Sequence, residues 1–380
     1  MHVFTHRDHP LRVASIAPKG DGKSFVVQHT SADGKVRTKT FANGYLAALR
    51  FLLNTEGYVI RGPQDGPVRW MERIRHDYHG ELHHAVEPDG GVWFVDPVGH
   101  IRRVSPDSLD TLGASLGAPS GLRASIACAP GGATWIAMPE WRSGEGGLVA
   151  NCRVLRVTRD PSSLAVQEVA ELRAAGSTVS VSAGADGSVL GPGPRGAAFY
   201  DEAGAVVEHI PCDAIPGTGE HTLGPFAVLS PDGRWLAFTR GHGVTLVERA
   251  TGKDHELPLD FKSVNGLQVA DDGALFVSGF RYPSHGLFRV DARGPERVSA
   301  DIRATVLADG RRFVEAEHSR VTLRDCDAPS DHPMELRRSV AAVQLPVLGM
   351  AKYGRALPMG DGEFAVMTDA YTLACVRLKA

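Results

Sequence analysis

Apolar and polar residues alternate along most of this chain in short stretches that end at Asp-Gly turns. The segment VLSPDGRWLAFTRGHGVTLVERATGKDHEL (228–257) is typical, with apolar runs on both sides of Asp232 and Gly233. An Asp-Gly pair between apolar runs favours a β-hairpin, because tight hairpin turns need residues that tolerate positive φ. The segment therefore predicts three or four consecutive antiparallel strands.

The same pattern occurs seven times. Apolar runs flank every turn, and the turn positions are Asp89, Gly131, Asp186, Asp232, Asp272, Asp309 and Asp361, separated by 42, 55, 46, 40, 37 and 52 residues. A third apolar segment follows in most repeats and a fourth in several. Four strands in every 40 to 50 residues or so are typical of a β-propeller blade. The sequence therefore predicts an all-β protein, a seven-bladed β-propeller over residues 82–380. Six or eight blades also fit, because YVIRGPQDGPVRWMERI (58–74) could supply another blade.

Individual repeats resemble those of known propeller families. LSPDGRWLAFTR (229–240) looks like a TolB-type repeat, and EPDGGVWFVDPVGHIRRV (87–104) is similar to repeats of virginiamycin-lyase-like propellers. VNGLQVADDGALFVSGF (264–280) resembles the repeat of the gluconolactonase/strictosidine-synthase-like group. These resemblances imply a propeller built from β-hairpin repeats.

Residues 1–60 do not follow the repeat, and their pattern predicts a small α+β module. For residues 61–81 the pattern predicts a linker or a partial blade. Short strands precede a helix over ANGYLAALRFLLNTEGY (42–58), with Asn43 as its N-cap and Gly57 as its end. The outline weakly resembles a WGR-type module, although the Trp-Gly-Arg tripeptide is absent. That resemblance implies nucleic-acid binding; the alternative is that the module packs against the propeller and caps it.

Composition indicates an ordinary cytoplasmic globular protein. The 380 residues include no long apolar run and no apolar leader at the start, and the five cysteines are scattered. With 41 Lys+Arg and 44 Asp+Glu the net charge is -3, but residues 1–78 are basic. A basic segment on an acidic body suits an anionic partner. The excess of arginine over lysine favours a bacterial source.

One candidate chemistry is a divalent metal site in the propeller channel. In the gluconolactonase-like group, the repeat position that Asn265 matches supplies a metal-binding asparagine. The resemblance implies carboxylate partners from other blades, and Glu81 and Asp301 lie nearest to the equivalent position. This leads to the first alternative function, a metal-dependent hydrolase or lactonase with one divalent cation; otherwise no cofactor is expected.

A second candidate is a cationic patch in the channel. His83, Arg303 and Arg355 occupy the same position relative to the turn in three repeats. Side by side they would suit an acidic peptide segment or a small anion. Alternatively, the arginines pair with Glu81 and Asp301.

Two long segments between repeats predict either partner-binding loops or ordinary long connections. MPEWRSGEGGLVANC (138–152) carries Trp141 and Arg142, residue types that are common in interface hot spots. The second segment covers residues 325–354. The chain has no Walker-type or HExxH motif, and GPGPRG (191–196) follows a propeller turn with no helix behind it. We therefore predict a non-catalytic platform that binds another protein, a scaffold or adaptor subunit of a cytoplasmic bacterial complex with no membrane contact. Nucleic-acid binding through residues 1–60 is the second alternative.

Overall fold

The computed structural model describes most of the chain, with gaps. The described residues are 3–6, 11–21, 23–42, 44–55, 58–62, 66–73, 83–95, 99–105, 111–116, 124–144, 147–160, 163–173, 180–194, 196–212, 226–317, 320–330, 335–345, 353–368 and 372–379. Strands dominate these residues. Neither helix found in them has the length and apolarity needed to cross a membrane.

The N-terminal part is a five-stranded sheet covered by a short helix. Its strands are β1 (Val3–His6), β2 (Val13–Pro18), β3 (Phe25–Thr30), β4 (Val36–Phe41) and β5 (Tyr58–Arg61), in the order β5-β1-β2-β3-β4. Helix α1 (Tyr45–Arg50) contacts β2, β3 and β4, and a π-helical turn (Phe51–Thr55) continues it. The predicted cap Asn43 and terminator Gly57 lie outside the described residues.

Seven four-stranded antiparallel units follow in the part of the chain that the structure describes. The first three consist of β7 (His83–Val86), β8 (Val92–Val95), β9 (His100–Val104) and β10 (Thr111–Ser115); β11 (Ser125–Cys128), β12 (Thr134–Gly144), β13 (Gly147–Asp160) and β14 (Ser163–Arg173); and β15 (Ser182–Ala183), β16 (Val189–Gly193), β17 (Gly196–Tyr200) and β18 (Val206–Pro211). In each unit the strands pair in chain order, as the repeated hairpin pattern predicts.

The remaining units repeat this order, with one exception at the end of the chain. They consist of β19 (Ala227–Leu229), β20 (Trp235–Arg240), β21 (Gly243–Glu248) and β22 (Lys253–Pro258); β23 (Ser263–Val269), β24 (Leu275–Arg281), β25 (Ser284–Asp291) and β26 (Gly294–Ser299); β27 (Thr305–Val306), β28 (Arg312–Glu317), β29 (Arg320–Pro329) and β30 (Arg337–Gln344); and β31 (Tyr353–Gly360), β32 (Glu363–Thr368) and β33 (Thr372–Arg377). The last unit takes its fourth strand, β6 (Val68–Arg73), from the other end of the chain.

The units form a closed ring. The first strand of each unit contacts the first strand of the next, from β7 through β11, β15, β19, β23 and β27 to β31, and β31 contacts β7 again. The pairing of β33 with β6 joins the two ends of the chain within one sheet. Because β5 pairs with β6, the N-terminal sheet extends this last unit edge to edge. The predicted all-β propeller is confirmed.

The apolar core lies between neighbouring units. Trp93 and Ile101 of the first unit pack with Ile136 and Leu155 of the second, and the other units pack in the same way. Because both faces of such sheets are buried, the strands read as short, nearly continuous apolar runs. The largest cluster joins Leu52 and its neighbours in the N-terminal part to the sixth and seventh units.

The prediction of a loop over residues 325–354 is wrong. Residues 325–329 finish β29, and residues 337–344 form β30, the outermost strand of the sixth unit. The charged residues and prolines before β30 are typical of a loop. β30 is nevertheless a strand, because β29 pairs with it.

Candidate binding face

The candidate residues lie toward one end of the ring, where the innermost strands begin; we call this end the start face. The Asp-Gly turns lie at the opposite end, the turn face. His83, Ser125 and Ser263 are the first residues of β7, β11 and β23. Because the first strands of propeller blades surround the central channel, polar residues at these positions can meet from different units.

His83 and Arg355 lie on adjacent innermost strands, β7 and β31, which are in contact. His83 pairs with Val95 and Arg355 with Met367, each six residues before the turn position of its unit. The two positions are therefore equivalent, as the spacing predicts. Arg355 is exposed, and His83 is partly buried.

The pKa of the neighbouring His84 responds to the positive charge of Arg355. Its side chain is buried, and Nε2 lies 3.2 Å from the carbonyl oxygen of Ala365. Burial first, and then the charge of Arg355, lower the pKa of His84 to about 3. The ring is therefore neutral, with Nε2 donating to Ala365. Since the charge of Arg355 acts on His84, the guanidinium lies within electrostatic range of that histidine.

Arg303 lies in the turn before β27, not in the strand, and is tied to Asp301. The backbone N–H of Arg303 donates to Oδ1 of Asp301 at 2.8 Å, and the N–H of Asp301 donates to Oγ of Ser299 at 2.8 Å. Asp301 is buried, and its Oδ2 has no hydrogen-bond partner in the described part of the chain. The structure thus joins Arg303 to Asp301 and places His83 with Arg355.

Asp301 is a carboxyl group in an acidic environment. Burial raises its pKa to about 6; the backbone N–H of Arg303 opposes the shift, while the charges of Glu315 and Glu317 add to it. Glu315 accepts hydrogen bonds from Ser299 and Arg324. The Asp301 carboxyl therefore holds its proton to a higher pH than an ordinary aspartate does.

The structure describes one of the two other metal candidates. Asn265 is exposed at a β-bulge in β23, between Val264 and Gly266, and Glu81 lies outside the described residues. Over the described ranges, no three His, Cys, Asp or Glu side chains are grouped so that they could hold a metal ion.

Trp141 and Arg142 lie on a strand, so the prediction of a loop over residues 138–152 is wrong. β12 continues to Gly144 and pairs with β13 throughout; Trp141 lies opposite Ala150, and Arg142 opposite Val149. β12 and β13 thus form a long hairpin that extends past Ser125, where β11 begins. The glycine and charged residues of this hairpin are typical of loops, so the sequence pattern does not predict its strands.

Sequence reasoning missed the buried ion pairs that join strands within a unit. Arg103 of β9 is buried; Nε donates to Glu87 at 2.7 Å, and Nη2 donates to Asp89 at 2.9 Å. The pattern of a carboxylate before and at the turn, with an arginine on the third strand, is present in the sequence. It is recognisable only once the strands are in register.

Comparison with known proteins supports the fold alone. No protein-family model and no curated protein matches the sequence. Virginiamycin B lyase from Staphylococcus aureus superposes with a TM-score of 0.55 at 11% identity, over 81% of this chain and 98% of that chain. An inactive H270A form of the S. aureus lyase with quinupristin gives 0.51 at 12% identity, over 81% and 99%.

A second kind of propeller is equally similar. The WD40 propeller domain of Doa1 superposes with a TM-score of 0.51 at 16% identity, over 80% of this chain and 94% of that domain. One of these neighbours is an enzyme, and the other is a WD40 domain, so the likeness leaves the activity open. The topology and these likenesses together identify the chain as a β-propeller repeat protein.

Proposed function

We propose that the protein is a non-catalytic platform that binds another protein, as a scaffold or adaptor subunit of a cytoplasmic bacterial complex. The observation that carries this proposal is the ribbon formed by β12, β13 and β14. β11 pairs with β12 over four positions only, whereas β12 pairs with β13 over eleven, from Thr134 to Gly144. The extra length extends past the propeller blade at the start face.

The ribbon is suited to contact a partner because its backbone is already ordered. β14 supports β13 as far as the pair of Asn151 and Arg173, so three strands share the ladder hydrogen bonds. A pre-ordered element loses less conformational entropy on binding than a mobile loop does. Trp141 and Arg142 lie beyond β14, on the two-stranded part of the ribbon, and are of the residue types that dominate interface energies.

The equivalent residues His83 and Arg355 give the proposed partner a chemical character. Their patch lies at the same start face as the ribbon and is cationic through Arg355. A partner segment with an acidic side chain would be attracted there while the rest of the partner contacts the ribbon. Arg303 is the third member of the proposed patch.

The test is to shorten the ribbon. Pro139 and Cys152 lie opposite each other on β12 and β13. Replacing residues 140–151 with Asn-Gly connects these two residues by a two-residue hairpin turn. The propeller blade keeps all its pairs up to Met138 and Arg153. Proteins that co-purify with the full-length chain should be lost with the shortened one, while the thermal unfolding midpoint stays close to the parent value.

Point variants then locate the contact. Trp141→Ala and Arg142→Ala should each weaken binding of the recovered partner by about tenfold or more. Tyr282→Ala is the matched control, because Tyr282 is an aromatic residue, 77% exposed, on the β24–β25 hairpin at the same face. Equal losses in all three variants, or none in the first two, would reject the ribbon as the contact.

A second candidate is the metal-dependent hydrolase, which the buried, unpartnered oxygen of Asp301 favours. A cation there would compensate the mutual repulsion of Asp301 and Glu315. Metal analysis of the purified protein tests it: about one divalent ion per chain that Asp301→Asn removes would support the hydrolase. Unchanged metal content in Asp301→Asn and Asn265→Ala would reject it.

A further inference from the structure

The N-terminal sheet ends in an open strand edge that neither function proposed above uses. β4 is the last strand in the sheet order, and on one side it pairs with β3 over six positions. In the described part of the chain, no strand pairs with its other side. All residues from Val36 to Thr40 are exposed, and Val36 is 71% exposed. The outer side of β4 is therefore accessible to another chain.

The register of β4 decides which backbone groups point outward. The N–H of Ser31 donates to the carbonyl oxygen of Lys35 at 2.9 Å, so these two residues form a hydrogen-bonded pair. Bonded and non-bonded pairs alternate along an antiparallel ladder. Every second residue after Lys35 therefore bonds to β3. The residues between them direct their N–H and C=O groups away from β3; these are Val36, Thr38 and Thr40.

The side chains of β4 give the edge two different faces. Lys39 lies on the face that carries α1 and the π-helical turn, with Nζ 4.3 Å from the ring centre of Phe51. Because side chains alternate along a strand, Arg37 is on the same face. The three residues with outward backbone groups have their side chains on the other face. One face of the edge is therefore cationic, and the other is uncharged.

The positive charge of this edge is not balanced nearby. Arg37 pairs with Asp33 at 3.2 Å, but the two side chains are 62% and 43% exposed, so the pair is weak. Lys39 contacts aromatic rings, and no carboxylate of the described residues pairs with it. Residues 11–42 contain six Lys and Arg against two Asp. The edge therefore suits a strand that carries carboxylates.

The same charges disfavour a second copy of the chain at this edge. If two β4 strands paired antiparallel about Thr38, Arg37 of each strand would lie opposite Lys39 of the other. Like charges directly opposite each other destabilise a strand pair, and charged edge strands resist self-association. A nucleic-acid backbone fits less well than a peptide, because its phosphates only accept hydrogen bonds and offer no donor to the outward carbonyl groups.

We propose that β4 binds an extended acidic segment of another protein, which adds a strand to the N-terminal sheet. The added backbone exchanges hydrogen bonds with Val36, Thr38 and Thr40. Two carboxylates, two positions apart in the segment, lie beside Arg37 and Lys39, and uncharged side chains lie on the other face. The edge shares no residue with the β12–β13 ribbon, so the proposal stands or falls independently of the platform contact.

The test titrates the full-length protein with the capped peptide Ser-Val-Glu-Thr-Glu-Val-Ser. The amide signals of Thr38 and Thr40 are followed by ¹H–¹⁵N NMR with ¹⁵N-threonine, and Thr38→Ser and Thr40→Ser assign them. We expect both signals to shift saturably, with a Kd on the order of 1 mM. A peptide with lysine in place of both glutamates should cause no such shift at equal ionic strength. The signal of Thr245, buried in β21, should stay in place.

Thr38→Pro tests the outward hydrogen bonds. Because the N–H of Thr38 points away from β3, proline removes no ladder bond of the free protein and is tolerated on an edge strand. The variant lacks one donor for the added strand, so the glutamate peptide should bind about tenfold more weakly, as followed at Thr40. Val207→Pro, on the outermost strand β18 of the third unit, is the matched control and should leave binding unchanged.

The double variant Arg37→Glu/Lys39→Glu tests the charge of the edge. It should bind the lysine peptide and lose the glutamate peptide, a reversal that partial unfolding does not produce. Equal binding of the two peptides by the parent protein, unchanged binding in Thr38→Pro, or no reversal in the double variant would overturn the proposal.

Two further results would assign the edge to a different occupant and would also overturn the proposal. Shifts of Thr38 and Thr40 that grow with protein concentration in the absence of peptide would indicate a second copy of the chain. Shifts with an oligothymidylate, but not with the glutamate peptide, would indicate a nucleic acid.

Discussion

At the residue scale, the turns were predictable and the buried charges were not. Gly90, Gly187, Gly233 and Gly273 adopt positive φ next to their turn aspartates, and Asp361 itself has a φ of 49°. That requirement selects Asp and Gly, so it is visible in any single repeat. Ion pairs such as Arg103 with Glu87 depend on strand register, which a local pattern does not encode.

The pair of Arg103 and Glu87 gives the first prediction. Both side chains are at most 8% exposed, so Arg103→Ala leaves Glu87 buried without its main partner. The free energy of unfolding should fall by about 3–5 kcal/mol, as measured by urea denaturation. Arg293→Ala breaks the exposed pair with Asp291 and should leave the urea midpoint unchanged. Equal effects of the two variants would contradict this view of the buried pair.

Asp301 predicts a dependence of stability on pH. Its pKa is raised from 3.8 to about 6, so the folded state holds the proton more tightly than the unfolded chain does. The resulting penalty is absent below about pH 3.8, grows as the pH rises through about 6, and is complete above that. Asp301→Asn keeps an acceptor for the N–H of Arg303 and removes the penalty.

The gain in unfolding free energy from Asp301→Asn should therefore be larger at about pH 7.5 than at about pH 4.5, by about 2 kcal/mol. Urea denaturation at the two pH values measures it. Asp254→Asn, at an exposed position of β22, is the control for replacing one aspartate by asparagine. A gain of equal size at both pH values for Asp301→Asn would refute the burial argument.

At the element scale, hairpins were predictable because both strands lie within one repeat. One partner of β6, in contrast, is β33, about 300 residues away in the sequence. The segment around Val68–Arg73 could therefore be assigned to a linker or to a partial blade, without a choice between them. The length of the β12–β13 ribbon was missed because its residues favour loops when they are considered alone.

The closing strand provides the element-scale prediction. Met71 is fully buried on β6, and pairs with Ile60 on one side and Ala374 on the other. Proline there removes a ladder hydrogen bond from a central strand, so Met71→Pro should lower the unfolding free energy by about 3 kcal/mol or more. Thermal unfolding and limited proteolysis measure the change.

Val207→Pro is the control for this variant. Val207 is the unpaired residue of a β-bulge on the outermost strand β18, between the pairs that involve Val206 and Glu208. Proline should be tolerated there. If Met71→Pro behaves like Val207→Pro, β6 does not close the ring.

At the scale of the whole molecule, the N-terminal part belongs to the same core as the propeller. Leu52 and Leu53 are buried together with Val314 of the sixth unit and Phe364 of the seventh. Leu52→Ala should therefore cost about 2–5 kcal/mol. Since the core is shared, the far-ultraviolet and near-ultraviolet circular dichroism signals should still change together in a single unfolding transition. Two separate transitions would mean that residues 1–60 unfold independently.

The central claim is that the ribbon at the start face contacts a protein partner. Hydrogen exchange measured by mass spectrometry, with and without the partner recovered by co-purification, tests it most directly. We predict that binding slows exchange in residues 140–151 and around His83 and Arg355, and leaves the turn face unchanged. Slower exchange elsewhere, with no change in the ribbon, would contradict the account.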